Sequence, residues 1–134
     1  PAAELLPTAE EYGVGILVRV VFDEGVLTGK YTADTRFAAD DFRNNYFAGD
    51  RLARAVARVD KIKEDVAPYA LSMPQAALQF ALAHPGVSTV IPGIRSVYQA
   101  EANAAAADAD PLPQALLEKL RQHAWMRGFW YGGK

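Results

Sequence analysis

The stretch VSTVIPGIRSVYQAEAN, residues 87 to 103, carries the pattern that decides the fold. It begins with a short apolar run rich in β-branched residues, which predicts a buried strand over 87–91 that Pro92 and Gly93 close. Ser96 can then cap a helix that runs to about Ala107. A strand that leads directly into a helix in this way is the unit from which parallel α/β folds are built.

A second strand is predicted near the start of the chain, over residues 14–21. This run is almost continuously apolar and β-branched, which is typical of parallel strands that are buried on both faces. A short helix over 2–12 is expected before it, because Gly13 can supply a left-handed stop after a run of helix formers.

The middle of the chain predicts two helices. Asp50 can cap a helix over 51–67, in which apolar residues recur every three or four positions along one face. Ser72 and Gln75 have the spacing of a capping box for a second helix, which should end near His84.

The order of the elements indicates an α/β fold with parallel strands, but so few strands cannot form a covered sheet. We therefore expect the chain, over 1–134, to be a piece of a larger fold.

Residues 32–49 are polar and aromatic without a sustained period, which favours a lid-like loop. A last helix is predicted over about 113–124, followed by an aromatic tail that should form a packing patch of Trp125, Phe129, Trp130 and Tyr131.

Composition and charge exclude several classes of function. The formal net charge is −2, which gives no broad attraction for nucleic acid or anionic membrane. The absence of cysteine excludes thiolate catalysis and disulfides, and it fits a reducing cytoplasm. The two histidines, His84 and His123, stand far apart without acidic residues at metal-ligand spacing. We therefore expect a cytoplasmic protein that binds no metal, no nucleic acid and no membrane.

The turn after the predicted strand 87–91 has the features of an anion site. Backbone N–H groups at a helix N-terminus lack intrahelical partners and favour a phosphate, and the glycine lets the backbone approach it. Arg95 adds a guanidinium fork, and Gln99 and Asn103 follow at steps of four on the same helical stripe. The alternative is that Ser96 and Gln99 only form a capping box beside a solvated Arg95.

The second candidate site is VVFDEGVLTGKY, residues 20 to 31, at the C-terminal end of the first predicted strand. Parallel α/β folds place their ligands at that end of the sheet. Taken by itself, the stretch favours a structural glycine-rich turn over a ligand site.

Together the two stretches resemble the aldo-keto reductase family. GxRxxxQxxxN after a VIPG strand is similar to the family's segment for the 2′-phosphate and adenine of NADPH, and GxLTGKY is similar to its pyrophosphate loop. The resemblance implies a partial (β/α)8 TIM barrel, consisting of the last two parallel strands with their helices and a C-terminal extension. It also implies NADP(H) as cofactor, an aldehyde or ketone as substrate, and these cofactor-binding residues: Phe22, Asp23, Gly25, Leu27, Lys30, Pro92, Gly93, Arg95, Gln99 and Asn103.

The family's catalytic Asp, Tyr, Lys and His come from earlier strands, and no segment of this sequence resembles those strands. No catalytic residue is therefore assigned, and the 134-residue chain by itself is expected to be inactive. The alternative is a non-catalytic nucleotide-binding or self-associating module, whose unpaired strand edges drive homo-oligomer formation. Arg36, Arg43 and Asn44, like the carboxylates of Asp40 and Asp41, are interpreted as solvated loop groups.

Overall fold

The computed structural model describes residues 3–125 and has the predicted α/β character. Its two strands are β1, Ile16–Arg19, and β2, Val87–Ile91. The helices in the described range are α1 Leu5–Glu11, α2 Arg43–Tyr46, α3 Arg51–Val66, α4 Met73–Leu82, α5 Val97–Asp108 and α6 Gln114–Gln122. Short 3-10 turns cover Val26–Thr28 and Ala67–Tyr69.

The two strands pair in parallel, as the sequence predicts. The register shifts by one residue after its first pair, since Ile16 pairs with Val87 but Leu17 pairs with Thr89. Ser88 is the residue passed over, and its Oγ accepts a hydrogen bond from the Ile16 amide at 3.1 Å. The hydroxyl thus satisfies a backbone donor that the irregular ladder leaves out.

The prediction that the first strand is buried on both faces is wrong. One sheet face packs on α4 and α5, where Val90 meets a cluster built around Leu78 and Ala106. The opposite face is open, so that Leu17 is 62% exposed and Ile91 54% exposed. The strand is also shorter than predicted, because the backbone of Val20 turns to a φ of 57°.

Most of the core lies along α3 and not beside the sheet. The N-terminal half of this helix packs its apolar stripe, including Val56 and Val59, against the segment 26–47. Its C-terminal half, including Ile62 and Val66, packs against α6. The apolar period predicted for this helix therefore identified the right face.

Two of the three predicted helix caps are confirmed. The Oγ of Ser72 accepts from the Gln75 amide at 3.3 Å, and the Oγ of Ser96 accepts from the Gln99 amide at 3.2 Å. The cap predicted at Asp50 is wrong, since its side chain caps no amide and instead pairs with Arg54 at 3.3 Å. Asp50 has φ −89° and ψ 0°, outside the extended conformation in which a cap residue usually directs its oxygen to the first turn.

At the C-terminal end, Trp125 packs on the α3–α6 cluster, and its ring lies 5.1 Å from the Arg58 guanidinium carbon. The other members of the predicted aromatic patch, Phe129, Trp130 and Tyr131, lie outside the described residues. None of the helices within residues 3–125 is both long enough and apolar enough to cross a membrane.

Candidate functional site

The two stretches singled out in the sequence lie on opposite sides of one cleft of about 350 Å³. The loop after β1 forms one wall, and the turn between β2 and α5 forms the other. The cleft is lined by Val20, Val21, Phe22, Glu24, Gly25, Thr28, Lys30, Tyr31, Arg43, Pro74, Gly93, Arg95, Gln99 and Asn103. Both strands end at this cleft, which is where parallel sheets place their ligands.

The loop after β1 is a tightly folded wall of the cleft. Its residues Val20, Asp23 and Glu24 all have positive φ, at 57°, 49° and 54°. A β-branched residue in this region is strained, and strain of this kind collects at functional loops. Backbone hydrogen bonds hold the fold of the loop, including those from the Asp23 amide to Val20 at 2.8 Å and from the Gly25 amide to Phe22 at 2.9 Å.

The α5 stripe presents three side chains to the cleft, as its spacing predicts. The Oε1 of Gln99 reaches back to accept from the Arg95 amide at 2.7 Å, so Gln99 both lines the cleft and fixes the entry to α5. The capping box proposed as the alternative is therefore present, but Gln99 and Arg95 also line the cleft. The side-chain amide nitrogen of Asn103 is buried and has no acceptor among residues 3–125.

Arg43 joins the segment 32–49 to the cleft, and the prediction that Arg43 and Asp41 are solvated loop charges is wrong. Arg43 Nε donates to Asp41 Oδ1 at 2.9 Å, and Arg43 Nη1 donates to the Tyr31 hydroxyl at 2.6 Å. The Tyr31 hydroxyl in turn donates to the Glu24 carbonyl at 3.1 Å. This chain of bonds ties the segment to the loop after β1.

The Asp41 carboxylate is strongly stabilised by this pairing. Hydrogen bonds from the Arg43 side chain and backbone lower the pKa of Asp41 from 3.8 to about 2. The guanidinium of Arg43 also lies 4.6 Å from the centroid of the Phe37 ring, which stacks on Phe47 at 5.9 Å. The segment predicted to be a lid-like loop is therefore a packed element that includes α2 and borders the cleft.

Three of the residues predicted for cofactor binding do not line the cleft. Asp23 is buried beneath the loop, where its Oδ1 accepts from the Tyr46 hydroxyl at 2.7 Å. Leu27 packs toward both clusters on α3, and Pro92 is half-buried beside the cleft. The other predicted residues do line it: Phe22, Gly25, Lys30, Gly93, Arg95, Gln99 and Asn103.

Sequence reasoning missed several lining residues. Thr28, Tyr31 and Pro74 are among them, and their roles depend on how distant segments meet. Thr28 and Tyr31 both lie within the quoted stretch 20–31, and this was the available indication of their role. Within residues 3–125, no group of three or more His, Asp and Glu side chains could hold a metal ion.

The chain is similar to known proteins over most of its length. The model of the aldo/keto reductase family matches residues 1–124. The chain is 31% identical over 127 residues to a probable voltage-gated potassium channel subunit beta of Arabidopsis thaliana, covering 89% of this chain and 38% of that protein. It is 31% identical over 120 residues to the uncharacterized oxidoreductase YqkF of Bacillus subtilis, covering 90% of this chain and 38% of that protein.

A solved structure shows the same fold. The glycerol dehydrogenase AKR11B4 of Gluconobacter oxydans matches with a TM-score of 0.79 at 22% identity, covering 91% of this chain and 37% of the dehydrogenase. The predicted fold class, two parallel strands and helices of a partial (β/α)8 barrel, is thereby confirmed. The chain spans roughly two fifths of the length of the proteins that it matches.

Proposed function

Because the chain belongs to the aldo/keto reductase family, we propose that it is the cofactor-binding C-terminal portion of an NADP(H)-dependent oxidoreductase. When bound, NADPH supplies the hydride that reduces an aldehyde or a ketone. The residues of this chain hold and orient the cofactor. The absence of cysteine is consistent with a cytoplasmic location.

The observation that carries the proposal is the buried amide of Asn103. An unpaired buried donor costs free energy unless a ligand supplies an acceptor, and Asn103 is one of the residues that line the cleft. An adenine edge offers acceptors of this kind. Two helical turns above it, the Arg95 guanidinium has no ion-pair partner within residues 3–125, which suits it to a 2′-phosphate.

The opposite wall suits the rest of the cofactor. Lys30 is exposed at the cleft, with Nζ 5.4 Å from the centroid of the Tyr31 ring, and its charge suits a pyrophosphate. A Cβ at Gly93 would meet no atom within 4 Å, so the backbone of this turn is open to a ligand. These features fit an extended anionic cofactor across the cleft.

We assign no catalytic residue to this chain. The tyrosine that lines the cleft, Tyr31, is only 7% exposed and already donates its proton to the Glu24 carbonyl. It is thus unsuited to protonate a substrate oxygen, since a general acid needs its donor within reach of that oxygen. We therefore also propose that the 134-residue chain alone does not reduce carbonyl compounds.

A second candidate function is that of a non-catalytic, self-associating module. The exposed sheet face with Leu17 and Ile91 favours it, because another copy of the chain could cover these apolar side chains. Cofactor binding does not conflict with self-association.

The proposal is tested by titrating the protein with NADPH and NADH and following the fluorescence of the reduced nicotinamide. Arg95→Ala should weaken NADPH binding by roughly 10-fold to 100-fold, because one charge-assisted contact to the 2′-phosphate is lost. NADH binding should be nearly unchanged, because it has no such phosphate.

Arg121→Ala is the matched control, since it also removes one exposed arginine but lies on α6, away from the cleft. It should change neither affinity by more than about twofold, the size expected from long-range charge alone. Equal losses of NADPH and NADH with Arg95→Ala would contradict the proposal.

A further inference from the structure

A second opening adjoins the cleft beside Arg95. It has a volume of about 400 Å³ and is lined by Glu24, Asp40, Asp41, Phe42, Arg43 and Arg95. Three of these residues, Glu24, Arg43 and Arg95, also line the main cleft, so the two openings are continuous. The end of the cleft where Arg95 lies is therefore surrounded by carboxylates.

The charges in this opening are only partly matched. The Asp41 carboxylate is paired with Arg43 through side-chain hydrogen bonds. The carboxylates of Glu24 and Asp40 and the guanidinium of Arg95 make no ion pair within residues 3–125. The positive charge of Arg95 also contributes to the lowered pKa of Asp41, so the charge of Arg95 acts on a carboxylate of this opening.

The lining therefore holds three carboxylates against two guanidiniums, an excess of one negative charge. Glu24 is half-buried, which limits the screening of its charge by water. An anion that approaches Arg95 gains the attraction of one guanidinium but meets the repulsion of Glu24 and Asp40. An uncharged hydroxyl in the same place meets no such repulsion.

We propose that Glu24 and Asp40 set the preference between NADPH and NADH by placing negative charge beside Arg95. This inference rests on the proposed function, because it takes the 2′-phosphate to bind at Arg95. The two carboxylates repel the 2′-phosphate. They therefore reduce the preference in binding affinity for NADPH over NADH that Arg95 alone would give. Neither residue is a catalytic residue; both determine specificity through charge.

The test uses two small probes that differ only in the phosphate concerned, adenosine 2′,5′-bisphosphate and adenosine 5′-monophosphate. Their binding is measured by isothermal titration calorimetry with wild type, Glu24→Gln, Asp40→Asn and the double variant. The double variant should bind the bisphosphate about threefold to tenfold more tightly at low salt, because two nearby negative charges are removed. Binding of the monophosphate should change by less than about twofold.

Two controls separate local charge from other effects. Asp34→Asn removes a carboxylate from the same segment outside both openings, and it should leave the ratio of the two affinities unchanged. At about 0.5 M salt, where exposed charges are largely screened, the gain of the double variant should shrink. A change in loop packing would persist at high salt.

The outcomes distinguish this inference from the proposed function. If the wild type binds neither probe and no NADPH, the proposed function is wrong and this inference falls with it. If the wild type binds the bisphosphate through Arg95 but the double variant binds it no more tightly, only this inference is wrong. An equal gain for both probes, or a gain that salt does not reduce, also contradicts it.

Discussion

At the scale of single residues, the wall of the cleft depends on Gly25. Its φ of 96° lies in the region that side chains rarely adopt, and a Cβ here would lie 2.6 Å from the Tyr31 hydroxyl oxygen. Tyr31 cannot easily move away, because its hydroxyl bonds to Glu24 and Arg43 and its ring lies edge-on to Phe37 at 5.3 Å. The glycine is therefore required twice, by the backbone and by the neighbouring ring.

Replacement of Gly25 by alanine should accordingly be costly. We expect Gly25→Ala to lower the free energy of unfolding by about 2 to 4 kcal/mol, as the sum of left-handed backbone strain and overpacking. Gly49→Ala is the control, since Gly49 has a φ of 64° but no atom within 4 Å of an added Cβ. It should cost only the backbone strain, about 1 to 2 kcal/mol. Denaturant unfolding measures the free energy of unfolding of both variants. Equal losses would show that Tyr31 moves aside without destabilising the protein.

At the scale of elements, α3 and α6 are joined by charge as well as by apolar packing. Asp65 Oδ2 on α3 lies 2.7 Å from His123 Nε2, and Asp65 Oδ1 lies 3.4 Å from Lys119 Nζ. The hydrogen bond with His123, followed by the interaction with Lys119, lowers the pKa of Asp65. The folded state therefore favours the ionised carboxylate.

This pairing predicts a pH-dependent contribution to stability. Because the pKa of Asp65 is lower in the folded state than its ordinary value of 3.8, the contribution is present above that pH and is lost as the pH falls through the lowered pKa. Asp65→Asn should lower Tm near neutral pH, and the difference from wild type should close in acid. Thermal unfolding of both proteins from neutral pH down to acid pH tests this expectation. Glu64→Gln, on the exposed side of α3, is the control. A difference in Tm that stays constant with pH would contradict the interpretation.

At the scale of the whole molecule, the two-stranded sheet leaves one face uncovered, which carries the apolar Leu17 and Ile91. Leu17 and Ile91 on this face are each more than half exposed, whereas the other face packs on α4 and α5. So small a sheet is rarely stable without further partners. A second copy of the chain could cover this face and pair with the edge of β1.

We therefore predict that the chain self-associates through the open sheet face. Sedimentation over a hundredfold range of concentration should show a growing fraction of dimer or larger species. Leu17→Lys should weaken this association at least about tenfold, because a charge replaces buried apolar area. Val97→Lys is the matched control, since Val97 is 75% exposed but lies on α5. A compact monomer at every concentration would contradict the prediction.

What the sequence determined by itself was local in origin. The caps at Ser72 and Ser96, the apolar face of α3 and the stripe from Arg95 to Asn103 all follow from spacings of three or four residues within one helix. The strand β2, which Pro92 and Gly93 follow, was predicted from its short apolar run rich in β-branched residues. Such features do not depend on how distant segments pack, because the interacting residues are neighbours along the chain.

Only the tertiary structure decided which distant groups meet. The bonds from Arg43 to Asp41 and Tyr31, which turn a supposed loop into a wall of the cleft, depend on the path of the segment 32–49. The exposure of Leu17 likewise depends on which elements cover the sheet, whereas its apolar character predicted only burial. A side chain's charge and hydropathy are fixed by its type, but its partners and its contact with water are fixed by packing between segments far apart in sequence.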